Sequence, residues 1–301
     1  MDVRGFILQA TYRITAGRPV VHLYGRLESG PAFVLRDHGQ IPHFHVEAQH
    51  REAAERAGAV RTQATALTTF QGAATARVEV AVPADAPTVR DKLHAQGIDT
   101  YEADVRFAMR YLIDRGIKGG CLIRGEPSSQ QGLWRFDGAE VLPAQVQIEP
   151  RVLAFDIETD PKAQRLLAVS LYGLGADELW VVDPKGRPMP PGAHGLPNEK
   201  SVLEAFCRRV AELDPDVLTG WNVVDFDLSV LAQVAKRVGH SFQLGRDKGG
   251  LRIRAAQGYF GSGHADIPGR LVLDGMDLLR GAFVRMDEYS LDAVARQVLG
   301  E

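Results

Sequence analysis

The sequence predicts an α/β protein of two domains: a β-rich first half, then a half in which helices alternate with strands over a mixed sheet. Three observations carry this. The chain has 301 residues, about twice the commonest domain size. Residues 6–12, 20–24 and 32–35 are short apolar or β-branched runs, punctuated by Gly17, Gly25, Gly30 and Gly39 as in a meander with tight turns. After Arg151 three strand-like runs come first and helical periodicity follows, the order expected of a sheet whose later strands are joined through helices.

The elements follow in order. Segment 46–76 is rich in alanine and reads as a helix followed by a surface segment. Residues 78–82 are a strand by composition, and Pro87 lies near the start of an amphipathic helix over 88–96 that Gly97 closes. A strand at 100–105 and a helix at 107–114 come next, stopped by Gly116, and Tyr101 and Tyr111 are expected in the core. The polar stretch 126–132, with Pro143 and Pro150 beyond it, marks a junction. The expected domains are therefore 1–148 and 149–301.

In the second domain strands are expected at 152–157, 166–172 and 178–182, with short polar connections that suit antiparallel pairing. The proline-rich segment 184–197 reads as an exposed loop. Leu203, Phe206, Val210 and Leu213 recur at helical spacing. A short buried strand at 217–218 ends at Gly220, and a helix at 228–238 stops at Gly239. A strand at 270–274 and helices at 277–283 and 290–299 complete the chain. No internal repeat is visible.

Composition narrows the function. The 35 basic and 38 acidic residues give a net charge of −3, so nucleic-acid binding requires a local basic groove rather than a global field. Cys121 and Cys207 lack the spacing of metal ligands and fit a reducing cytoplasm. No signal-peptide pattern and no run of 18 apolar residues is present, which predicts a soluble protein with no membrane partner. His43 and His45 alternate on an extended segment but have no partner spaced to complete a metal site, and are expected at the surface. Arg237, Arg246, Lys248, Arg252 and Arg254 form a basic run that could follow a phosphate backbone, although a solvated surface explains it as well.

The chemistry rests on carboxylates. Asp156 and Glu158 lie two apart in an otherwise apolar strand, so both project from one face. Two such charges destabilise a strand unless a cation offsets them, and an all-oxygen, carboxylate-rich set suits magnesium or manganese. The pair alone is equally a strand end followed by a turn. Asp227 follows Leu218-Thr219-Gly220-Trp221-Asn222 and stands at the expected start of the 228–238 helix, where α/β folds place sites. Taken singly, Asp227 reads as a helix cap, Asn222 as a turn former and Trp221 as core.

Together these residues resemble a family. Phe155-Asp156-Ile157-Glu158-Thr159 resembles the first exonuclease motif of family B DNA polymerases. Gly220-Trp221-Asn222, a short gap and Phe226-Asp227 resemble the second. Gly5-Phe6-Ile7-Leu8, Tyr101-Glu102-Ala103-Asp104-Val105-Arg106, Leu244-Gly245-Arg246-Asp247, Gly269-Arg270-Leu271 with Asp274, and Tyr289-Ser290-Leu291-Asp292 extend the similarity to bacterial members over essentially the whole chain.

The resemblance implies an amino-terminal polymerase domain followed by a 3′–5′ exonuclease of ribonuclease H-like fold that proofreads by hydrolysing single-stranded 3′ ends. It implies that Asp156, Glu158 and Asp227 are catalytic and hold two Mg2+ or Mn2+ ions. Thr159, Asn222 and Phe226 then contact the terminal nucleotides, with packing as a rival role for Phe226. Further implications are primer–template DNA as partner, a sliding clamp reached through a missing carboxyl-terminal region, roles in replication and repair, and a bacterial, nucleoid-associated cytoplasmic setting. The family's third exonuclease motif has no copy: Tyr289 is followed by Asp292 at the wrong spacing. These residues are accordingly expected to be the amino-terminal piece of a longer polymerase, with an exonuclease domain truncated at its carboxyl end and of little activity alone. A catalytically silent DNA-binding or scaffold module, and a standalone nuclease of the same fold, are the alternatives. The retained carboxylates argue against the first, and the lack of a final carboxylate with a Tyr or His against the second.

Overall fold

A computed structural model describes residues 1–129, 132–254, 263–282 and 284–300. The chain forms two compact units, Met1–Ile148 and Glu149–Glu301. In the first, β1 (Asp2–Thr15), β2 (Arg18–Leu27) and β3 (Ala32–Asp37) form the expected antiparallel meander. β4 (His43–Glu47), a short 3-10 turn and α1 (Arg51–Ala57) follow, then β5 (Arg61–Thr68), β6 (Ala74–Glu79), α2 (Asp85–His94), β7 (Thr100–Tyr101) and α3 (Phe107–Asp114). β8 (Gly120–Arg124), β9 (Trp134–Asp137) and β10 (Glu140–Pro143) complete the unit. They assemble into a six-stranded sheet, β10-β8-β1-β2-β3-β9, and a four-stranded sheet, β5-β6-β4-β7. α3 closes a core of Leu23, Phe33, Leu35, Tyr111, Ile123 and Phe136 over the first sheet, while Phe44, Val46, Val78 and Leu93 form a second core with α1 and α2.

Several expectations need correction. The alanine-rich segment is not a helix with a surface tail. Its second part is strand β5, whose alternating Thr62, Ala64 and Leu67 pair with β6, a partner local periodicity does not reveal. β7 is much shorter than 100–105, and Tyr101 on it is half-buried rather than core, its hydroxyl 3.4 Å from Glu47. The strands β8, β9 and β10 lie in the stretch read as a junction. Their ladders to β1 and β3 bridge up to 120 residues of sequence.

His43 and His45 are not surface residues: their side chains are 4% and 9% exposed. Their rings meet edge-to-face at 5.7 Å. Asp114 lies 3.8 Å from His43 and Glu102 3.6 Å from His45, acidic partners that only folding supplies. Burial lowers both imidazoles below the ordinary histidine value, and for His45 the adjacent His43 adds to it.

The second unit has the expected α/β class with a mixed sheet. β11 (Val152–Thr159), β12 (Leu166–Gly173) and β13 (Ala176–Val182) are antiparallel neighbours. β14 (Ala193–Leu196) lies inside the segment read as a loop and pairs parallel with β13. α4 (Glu199–Leu213) starts on Asn198, whose side chain accepts the Ser201 N–H. β15 (Val217–Gly220) runs parallel to β11, and a π-helical turn (Val223–Leu228) leads into α5 (Ser229–Arg237).

The chain continues through β16 (Arg252–Arg254), β17 (His264–Asp266), β18 (Leu271–Asp274), α6 (Gly275–Gly281) and α7 (Leu291–Leu299). The sheet order is β14-β13-β12-β11-β15-β18, with β16-β17 as a separate hairpin. Phe206 on α4 is fully buried between the Phe155 and Phe242 rings at 5.3 and 6.3 Å, so the α4 stripe seals the sheet as its spacing predicts. Phe283 and Glu301, within the expected last helices and terminus, lie outside the described residues. No helix among the described residues is long and apolar enough to cross a membrane.

Candidate active site

Strands β11, β15 and β18 are parallel neighbours, and their carboxyl ends gather the residues of interest. On β11, Leu153, Phe155 and Ile157 point into the core while Asp156 and Glu158 are exposed on the other face, the alternation the sequence required. Open α/β sheets build sites at this edge because strand ends and following loops converge there.

β15 ends at Gly220, where any side chain would collide with β11: a Cβ would stand 2.6 Å from the Phe155 carbonyl oxygen. Asn222 then adopts a left-handed conformation with φ 59°, which asparagine tolerates better than most residues. The next six residues form a π turn rather than the first turn of an α-helix, so Asp227 is not the cap of α5. π turns are rare and concentrate at functional sites. The turn buries Val223, Val224 and Leu228 and carries Asp227 inward to 2% exposure, while the Phe226 ring remains 36% exposed. Core packing is therefore not the role of Phe226.

Asp227 Oδ1 accepts the backbone N–H of Ile157 at 3.1 Å. That amide lies between Asp156 and Glu158, so residues 70 apart in sequence meet through one hydrogen bond. Burial, and secondarily the Asp156 charge, push the Asp227 carboxyl up to about 7. Asp156 is also held above the usual carboxylate range, by burial first and Glu158 second. Thr159 closes the motif half-buried, its hydroxyl donating to the Asp160 carbonyl at 3.0 Å.

Three carboxylates whose charged forms are disfavoured by burial and by one another are a donor set that a hard divalent cation would stabilise. In chemistry the residues fit Mg2+ or Mn2+. Among the described residues no three His, Cys, Asp or Glu side chains are gathered closely enough to hold an ion as they stand.

Asp274, at the end of β18, joins the site although nothing singled it out as a site residue. It is 6% exposed and accepts the N–H groups of Asn222, Val224 and Met276. Its sequence signal is that of a helix cap: an aspartate after Leu271-Val272-Leu273 and before α6. Trp221 is half-buried, and its indole N–H donates to the Tyr289 carbonyl at 3.0 Å.

The basic run does not behave as a unit. Arg237 pairs with Glu199 and Arg254 with Asp266 at the surface. Arg246, against expectation, is buried. It contacts Asp214 at 2.6 Å and Asp216 at 2.8 Å, because acidic partners 30 residues upstream fold onto it.

Comparison with known proteins places these observations. The model of the DNA polymerase family B exonuclease domain matches residues 193–294, which include Asn222, Phe226, Asp227 and Asp274. DNA polymerase II of Escherichia coli (strain K12) is 30% identical over 219 residues, covering 70% of this chain and 27% of that protein. A DNA polymerase of Thermococcus kodakarensis is 28% identical over 317 aligned positions, covering 98% of this chain and 17% of that protein. The solved family B DNA polymerase of the hyperthermophilic archaeon Pyrobaculum calidifontis superposes with a TM-score of 0.78 at 25% identity, over 98% of this chain and 39% of that one. The chain thus spans well under half the length of these relatives.

Proposed function

This chain belongs with the family B DNA polymerases, and from that premise we propose that residues 149–301 are a 3′–5′ proofreading exonuclease region and residues 1–148 the amino-terminal domain that precedes it. The reaction is hydrolysis of the 3′-terminal phosphodiester of single-stranded DNA. Asp156, Glu158 and Asp227 are its catalytic carboxylates and would hold two divalent cations, Mg2+ or Mn2+. When bound, such ions lower the pKa of the attacking water and neutralise charge on the scissile phosphate. One observation carries the reading: the Asp227 carboxylate is hydrogen-bonded to the amide between Asp156 and Glu158.

The chain's own groups supply position. The β11 pleat keeps Asp156 and Glu158 on one accessible face. The π turn delivers Asp227 beside them. The exposed Phe226 ring offers a stacking surface for a terminal base. Asn222 and Thr159 flank it as polar contacts. Nucleotide addition, a sliding-clamp contact, roles in replication and repair, and a bacterial nucleoid setting belong to the same proposal at the level of the full-length enzyme.

The test is Mg2+-dependent shortening of a 5′-labelled single-stranded oligonucleotide by the protein that carries this sequence, wild type against Asp156→Ala. The variant should lose shortening and keep nucleotide addition. Undiminished shortening, or a parallel loss of polymerisation, refutes the assignment.

A further inference from the structure

We infer that Asp274 is a positioning residue for this site: it sets the backbone of the loop that delivers Asp227, without itself contacting substrate. The inference rests on the exonuclease reading above and adds a residue to it. Asp274 Oδ1 accepts the Asn222 N–H at 3.0 Å and the Met276 N–H at 3.0 Å, and Oδ2 accepts the Val224 N–H at 3.2 Å. One carboxylate therefore clamps the loop after β15 to the end of β18 and the start of α6.

The clamp acts where the chain has most freedom to go wrong. Asn222 is left-handed, with φ 59°, a conformation that needs support from its surroundings. The π turn begins at the next residue and ends just beyond Asp227. An α-turn there would rotate the Asp227 side chain away from the Ile157 amide, because a π turn advances fewer degrees per residue. With Asn222 and Val224 both held, the turn starts in a fixed direction. The close approach of Gly275, where a Cβ would lie 3.1 Å from the Gly220 carbonyl oxygen and from the Trp221 ring, brings the two chain segments together.

The chemistry of the clamp is specific. Three backbone N–H groups converge on one side chain, so it must accept at both of its polar atoms. A carboxylate does this, whereas asparagine of the same shape turns one acceptor into a donor facing a donor. With both oxygens occupied by backbone amides, Asp274 is a support for the site rather than an ion ligand. Loss of such supporting hydrogen bonds typically weakens a metal site by about tenfold or more.

The experiment compares wild type, Asp274→Asn, Asp156→Ala and Val234→Ala, the last a buried truncation in α5 that lowers stability away from the clamp. Amide hydrogen exchange over residues 219–228 and Mn2+ binding by electron paramagnetic resonance are read on each. Asp274→Asn should lose protection at Asn222 and Val224 and bind Mn2+ about tenfold or more weakly. Val234→Ala should keep Mn2+ affinity despite its lower melting temperature. Retained protection, or Mn2+ affinity within about twofold of wild type, overturns the role of Asp274. If wild type shows no Mn2+ binding that Asp156→Ala abolishes, the exonuclease reading falls and the role of Asp274 with it, a result distinct from the preceding one.

Discussion

Replacing Arg246 by methionine should unfold the second unit at a much lower temperature, although the residue lies in a stretch that reads as solvated surface. Its guanidinium donates to the Asp214 carboxylate at 2.6 Å and the Asp216 carboxylate at 2.8 Å. It also donates to the carbonyls of Asp214, Pro215 and Gly269 at 3.1, 3.0 and 2.9 Å. The Arg246 side chain is 3% exposed and that of Asp216 is 0%. Asp216 in turn accepts the Arg151 N–H through its carboxylate, and its carbonyl accepts from Leu271. The knot therefore sets the starts of β11, β15 and β18, the three strands whose far ends carry Asp156, Asn222 and Asp274.

Removing one partner of a buried charge pair costs about 3–5 kcal/mol, against about 0–1 for an exposed pair. With about 2–4 °C per kcal/mol for a domain of 150 residues or more, the melting temperature should fall by about 6–20 °C. Differential scanning calorimetry at neutral pH reads this directly. Arg246→Lys should recover little, since an ammonium cannot reach both carboxylates and the carbonyls from one plane. A fall below about 2 °C for Arg246→Met would show that the knot behaves like a surface pair and refute the reasoning.

The other perturbations are equally direct. His43 and His45 are lowered from 6.5 by burial. Their contribution to stability is complete above about pH 6.5 and is lost as pH falls through the folded values, because the unfolded chain takes up protons that the folded one resists. The urea midpoint should drop between about pH 7.5 and 5, and the double variant His43→Gln/His45→Gln should flatten that drop; an unchanged slope counts against it. Gly220→Ala puts a methyl 2.6 Å from the Phe155 carbonyl and should cost about 1–3 kcal/mol by forcing β15 from β11. Mn2+ binding should fall with it, and an unaltered melting curve would mean the strands give way freely. Burial pushes the Cys121 and Cys207 thiols up to about 12, so a disulfide reagent should label neither until denaturant is added.

The parts of this fold legible in the sequence are those whose signal is local. The β1–β3 meander, α3 and the α4 stripe announce themselves by alternation, helical spacing and glycine stops. The strands β5, β8, β9, β10 and β14 do not, because each is short, and its ladder partner is set by the fold rather than by its own residues. The same division runs through the site. Asp156 and Glu158 had to share a face once β11 was a strand, whereas Asp274 carries only the local mark of a cap.

The sequence by itself determined the carboxylate set, the order of the two motifs and the α/β class, because these depend on residue type and spacing along one segment. Only the tertiary structure decided that Asp227 sits in a π turn against the Ile157 amide, that Arg246 is buried on Asp214 and Asp216, and that Asp274 clamps the loop between them. Each of those contacts joins residues 30 to 70 apart. Their energies come from burial and from hydrogen-bond geometry, which do not exist until the strands have paired.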